Sequence, residues 1–154
     1  CNKQTKIRLL QSYSWLFKNS KLYPQIMKIQ NTNNNFCIKK KNYKINFQSL
    51  DVVHGFTKTR GYLFNKIAYI SDCKEVPQTT LKKLKNLNIL IIDCFRLSKH
   101  FTHLDLNSSL ELIENLKPKK AILTNMHVDL DYSNLRRKLP RNIIPAYDGL
   151  SFNF

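Results

Sequence analysis

The sequence has no apolar run long enough to cross a membrane. Its longest aliphatic stretch is Ile89-Leu90-Ile91-Ile92, against the roughly 20 apolar residues a spanning helix needs. An apolar leader is missing too, since Cys1-Asn2-Lys3-Gln4 opens a polar, amphipathic stretch, so no membrane partner and a cytoplasmic location are expected. Cysteine is sparse: the four residues at 1, 37, 73 and 94 form no C-x-x-C pair. That spacing excludes a zinc knuckle, and with no sign of export it argues against a disulfide framework. Cys37 and Cys94 lie in apolar runs and are expected to pack as reduced, small hydrophobes. Acidic residues are few, 10 against 26 Lys and Arg, which leaves a net charge of +16. Such a field favours phosphates, on nucleic acid or on small anionic substrates. Lys, Asn and Ile are all over-used, as in an AT-rich coding sequence, so charge alone does not choose between these partners. No initiator Met, linker or internal repeat is present, and 154 residues suffice for one core. Residues 1–154 therefore read as one domain, with its N-terminal part expected to be truncated.

What is present changes character half-way along. Ile7, Leu10, Tyr13 and Phe17 recur at helical spacing and predict a helix over 5–18. Residues 25–30 read as a short strand and 31–35 as a loop. Residues 36–55 read as strand, turn and strand, with alternation at Tyr43, Ile45 and Phe47 and Lys39-Lys40-Lys41 at the tip. Residues 60–72 read as a hairpin around Asn65-Lys66. From there helix and strand alternate: helix at 76–87, buried strand at 88–95, and a helix at 106–118 capped by Asn107 or Ser108 and ended by Pro118. A buried strand at 119–125, a short helix at 131–140 and a last strand at 142–154 follow. Alternation of this kind predicts an α/β fold, a sheet covered by helices.

Candidate ligands fall where apolar runs end. His54 follows Val52-Val53, Asp72 follows Ala68-Tyr69-Ile70-Ser71, and His127 follows the Ile122-Leu123 strand; His100 and His103 lie in a loop. Imidazole nitrogen with anionic oxygen on rigid strand ends is the donor set of Zn²⁺, Mn²⁺ or Fe sites. The competing reading is structural, with each His capping or satisfied in the core and each Asp forming a turn.

The segments "DVVHGFTKTRGYLFNKIAYISDCKEVP", "LNILIIDCFR", "HFTHLDLNSSLELIENLKPKKAILTNMHVDLDY" and "IIPAYDGLSFNF" resemble the C-terminal half of metallo-β-lactamase-fold hydrolases. The similar branch includes cyclic phosphodiesterases. The resemblance is firm from Asp51 to Phe154, weaker though in keeping over residues 5–50, and implies half of an αββα sandwich. It implies that His54 is a metal ligand, that Asp72 bridges two divalent ions (zinc, manganese or iron) in the full-length parent, and that a histidine near the "LTN" segment completes the second site. Asn125 stands where part of the family has histidine, and because imidazole is the better ligand, His127 is expected to take that role. The family's H-x-H-x-D-H loop is absent, the first histidine being His54. The implied activity is that of a phosphodiesterase using a metal-bridging hydroxide, with Asp72 and His103 catalytic, His103 as general acid or phosphate contact. Asp93, Asn125 and Asp148 would orient histidines or cap turns. A small phosphodiester is the expected partner and a homodimer an admissible assembly. A tRNA-processing nuclease, suggested by the charge, and a non-catalytic remnant of the fold are the alternatives.

Overall fold

The computed structural model describes residues 3–30 and 32–153. The chain divides into two compact units, Cys1–Phe36 and Cys37–Phe154. In the first, α1 spans Lys3–Ser12 and buries none of its residues. The helix expected to reach 18 stops there, and a 3-10 turn over Ser14–Phe17 follows. No strand forms at 25–30; instead the N–H groups of Ile26 and Met27 both donate to the Leu16 carbonyl. Of the expected loop at 31–35, Asn31 lies outside the described residues.

Seven strands follow: β1 (Asn35–Lys40), β2 (Tyr43–His54), β3 (Thr57–Phe64), β4 (Ile67–Ile70), β5 (Ile89–Asp93), β6 (Lys120–Thr124) and β7 (Ile143–Pro145). They make one sheet in chain order. β2 to β4 pair antiparallel through short hairpins, whereas β4 to β7 are parallel. Parallel neighbours need crossovers, supplied here by α2 (Gln78–Leu81), α3 (Leu106–Leu116) and α4 (Tyr132–Lys138). Register explains why the parallel strands are apolar at nearly every position. The row Ala68, Leu90, Ala121, Ile143 and the row Ile70, Ile92, Leu123 join the main core, which includes Ile113 of α3 and Leu135 of α4. The alternate residues Ile67, Ile89 and Ile122 pack on the other face against Ile144, Leu150 and Phe152. Both faces are thus buried, as continuous aliphatic runs require.

Four expectations shift. The helix read over 76–87 is the single turn Gln78–Leu81, entered through the extended Pro77. The last strand contracts from 142–154 to Ile143–Pro145, with Phe154 outside the described residues. Cys37 is exposed on β1, whereas Cys94 is buried. α3 is capped by Asp105, not by Asn107 or Ser108: its carboxylate accepts from the Ser108 N–H at 3.0 Å and the Ser108 hydroxyl at 2.9 Å.

Burial pushes the Asp105 carboxyl up, but the Ser108 bonds outweigh it and hold the group below its ordinary value. A depressed acid stabilises the fold above its unfolded pKa of about 3.9 and loses that contribution as pH falls through the folded value. Asp105→Ala is therefore expected to cost about 1 kcal/mol at pH 7, read by urea denaturation. The penalty should vanish on acidification well below pH ~4.

Candidate metal centre

The carboxyl ends of parallel strands are where open α/β sheets place ligands, and three polar residues gather there. Asp72 follows β4, Asp93 ends β5, and Asn125 follows β6 with a left-handed backbone (φ 62°). His54 arrives from the end of β2, at a two-residue turn opened by Gly55 (φ 58°). A Cβ on Gly55 would lie 2.6 Å from the Thr102 methyl, so glycine permits this turn to abut the loop that carries His103. That loop is closed at its base by Phe95 N–H to Leu104 carbonyl (2.8 Å) and Leu106 N–H to Arg96 carbonyl (3.0 Å).

Asp93 is the hub. It is fully buried and accepts from the Cys73 N–H at 2.9 Å and the Asn125 amide at 3.1 Å. His103 Nδ1 lies 2.7 Å from the same carboxylate. Burial raises the Asp93 carboxyl above its ordinary value, only partly countered by these bonds. With Nδ1–H directed at Asp93, His103 presents the Nε2 lone pair outward, and that nitrogen sits 3.1 Å from His54 Nε2. Two imidazoles on one tetrahedral Zn²⁺ at Zn–N of about 2.0–2.1 Å would stand roughly 3.3 Å apart. Asp72 joins them: one donor atom from each of His54, Asp72 and His103 lies within 4.8 Å of the others. The Asp72 carbonyl is held by the Thr59 hydroxyl at 2.7 Å and its carboxylate by the Ser71 hydroxyl at 3.0 Å. Two neutral-capable imidazoles and a carboxylate fit a borderline divalent ion, and the carboxylate behind His103 is the outer support such ligands usually have.

The other residues singled out from the sequence fall elsewhere. His127, expected beside His54 and Asp72, is half exposed and pairs with Asp129 at 2.8 Å; its N–H is tied to the Phe95 carbonyl. Its ring lies against Phe95, centroids 5.4 Å apart, while the Asn125 amide reaches Asp93 and the Ser71 carbonyl (3.2 Å). Asp148 is exposed in the turn after β7. The buried thiols of Cys73 and Cys94 are pushed up to about 12, mainly by burial, as packed, unreactive cysteines are. Lys74, whose ammonium reaches the His103 carbonyl at 3.4 Å, was not singled out; as one of 26 basic residues its only signal is its place two residues after Asp72.

A sequence model described as a beta-lactamase superfamily domain matches residues 1–126. The chain belongs to that superfamily. Its α/β architecture is of the metallo-β-lactamase type. The solved structure of a diphosphatase from the PhnP family aligns with 97% of the chain at TM-score 0.84 and 29% identity, the match spanning 55% of that protein. Zn²⁺-bound PqqB from Methylobacterium extorquens shares the fold at 14% identity and TM-score 0.64, over 81% of this chain and 55% of PqqB. An octanoyltransferase of Porphyromonas gingivalis is 26% identical over 106 residues, 67% of this chain and 21% of its own length. The chain thus spans about half of the matched superfamily structures and about a fifth of that curated relative.

Proposed function

We propose that the protein to which this chain belongs is a metal-dependent hydrolase of phosphodiesters, and that this chain contributes His54, Asp72 and His103 to its divalent-metal centre. The observation that carries the reading is the 3.1 Å approach of the two imidazole Nε2 atoms, with Asp72 beside them and Asp93 bound to the far side of His103. Similarity to the PhnP-family diphosphatase supports phosphorus as the electrophile, and the +16 charge favours an anionic substrate. A divalent ion (zinc, manganese or iron) supplies Lewis acidity and acidifies a water. Asp93 holds the His103 tautomer, the Gly55 turn presents His54, and Asp72 brings the anionic donor. Two ions are assigned to the whole protein, as the resemblance implies.

Bis-p-nitrophenyl phosphate tests this on the whole protein. Release of p-nitrophenolate that stops on chelation and returns with Zn²⁺ or Mn²⁺ is expected. Turnover unaffected by exhaustive chelation, or none with either metal, would count against it.

A further inference from the structure

A cleft of about 590 Å³ opens beside the candidate centre, lined by Val53 and Gly55, by the rings of Phe56, Phe101 and His100, and by two ammonium groups, Lys74 and Lys99, with one carboxylate, Glu75. Val53 and Gly55 flank His54 in sequence, and Lys74 is bonded to the His103 carbonyl, so cleft and centre share walls. Two phenyl rings stand at its mouth. Phe56, at the tip of the β2–β3 turn, is 94% exposed, and Phe101 is 59% exposed. Their centroids are 4.8 Å apart at an interplanar angle of 55°. One exposed ring is ordinary, but two in contact at a cleft that carries two lysines against one glutamate form an apolar, π-faced platform with ammonium groups in the same lining. Planar rings stack on such platforms while Lys groups take the attached phosphate.

We propose that this cleft selects the substrate's ester group, and that the group is a planar aromatic of the nucleobase kind, stacked on the Phe56–Phe101 pair with its phosphate beside Lys74 and Lys99. The proposal rests on the phosphodiester reading above and narrows its substrate class. It predicts binding that depends on a ring and a phosphate together, whether or not a metal is bound.

Calorimetric titration of the 154-residue chain with AMP, ribose 5-phosphate and adenosine, in chelator and again in Mn²⁺, tests it. AMP is expected to bind at least about tenfold more tightly than ribose 5-phosphate, the usual worth of one stacked base. Phe56→Ala and Phe101→Ala should each erase most of that difference and leave ribose 5-phosphate unchanged, while Phe56→Tyr keeps it. Lys74→Gln should weaken both phosphates and spare adenosine. Equal affinities for AMP and ribose 5-phosphate, a preference for AMP untouched by both alanine variants, or no AMP binding at millimolar concentration would overturn the proposal. A base preference in a chain that takes up no metal would keep the cleft and sink the metal centre; metal uptake without base preference would do the reverse.

Discussion

Asp93→Ala is expected to lower stability by about 2 kcal/mol and divalent-metal affinity by about 10–100-fold, the usual cost of removing a ligand's outer partner. The carboxylate is fully buried and serves the Cys73 N–H, the Asn125 amide and His103 Nδ1 at once. Each buried donor left unpaired costs about 1–3 kcal/mol. Relief of a carboxyl that burial disfavours offsets part of that sum. The pH dependence separates the two contributions. Because the folded-state pKa of Asp93 is raised, its favourable contribution is complete below the unfolded value of about 3.9 and declines as pH rises through the folded value. Urea denaturation of metal-free protein should therefore show a downward slope in stability above pH ~4 that Asp93→Asn removes. A wild-type profile indistinguishable from that of Asp93→Asn would contradict this account of the hub.

Gly61→Ala is expected to destabilise by about 1–3 kcal/mol, the range for overpacking a buried site. Gly61 is buried on β3, and a Cβ there would stand 2.8 Å from both the Tyr69 carbonyl oxygen and Ile70 Cγ1 of β4. The oxygen belongs to a backbone locked between β3 and β5, so the strands must separate. Asp72 lies two residues beyond Ile70, and the variant should weaken metal binding as well as folding. Thermal unfolding checks the first effect and metal titration the second. A Gly61→Ala protein melting with the wild type would show that the two strands yield without cost.

The parts of this fold legible in the sequence are those set by local pattern. Ile67–Ile70, Ile89–Asp93 and Ala121 to Thr124 read as strands because both faces of the parallel region are buried, and Val52-Val53 close the antiparallel β2. Their ends then pointed to His54 and Asp72. What places His103 beside His54 is not local. His103 is brought in by a loop closed through Phe95, Arg96 and Leu104, while His127, after the left-handed Asn125, pairs with Asp129 two residues on. Spacing along the chain does not carry the first contact. Asn125 likewise reads as a replaced histidine in the sequence, and only the fold puts its amide on Asp93. The cap of α3 slipped by two or three positions because Asp105, Asn107 and Ser108 are all acceptable cap residues, and the buried Asp105 alone bonds Ser108. The Phe56–Phe101 pair joins residues 45 positions apart and leaves no trace in hydropathy.

The central claim, that His54, Asp72 and His103 hold a divalent ion together, is tested most directly by metal titration of this chain and four single-alanine variants, followed calorimetrically. Stoichiometric Zn²⁺ or Mn²⁺ uptake is predicted for the wild type, weakened at least about 100-fold in the His54, Asp72 and His103 variants and unchanged in His127→Ala. Uptake lost in His127→Ala but retained in His103→Ala would contradict the account.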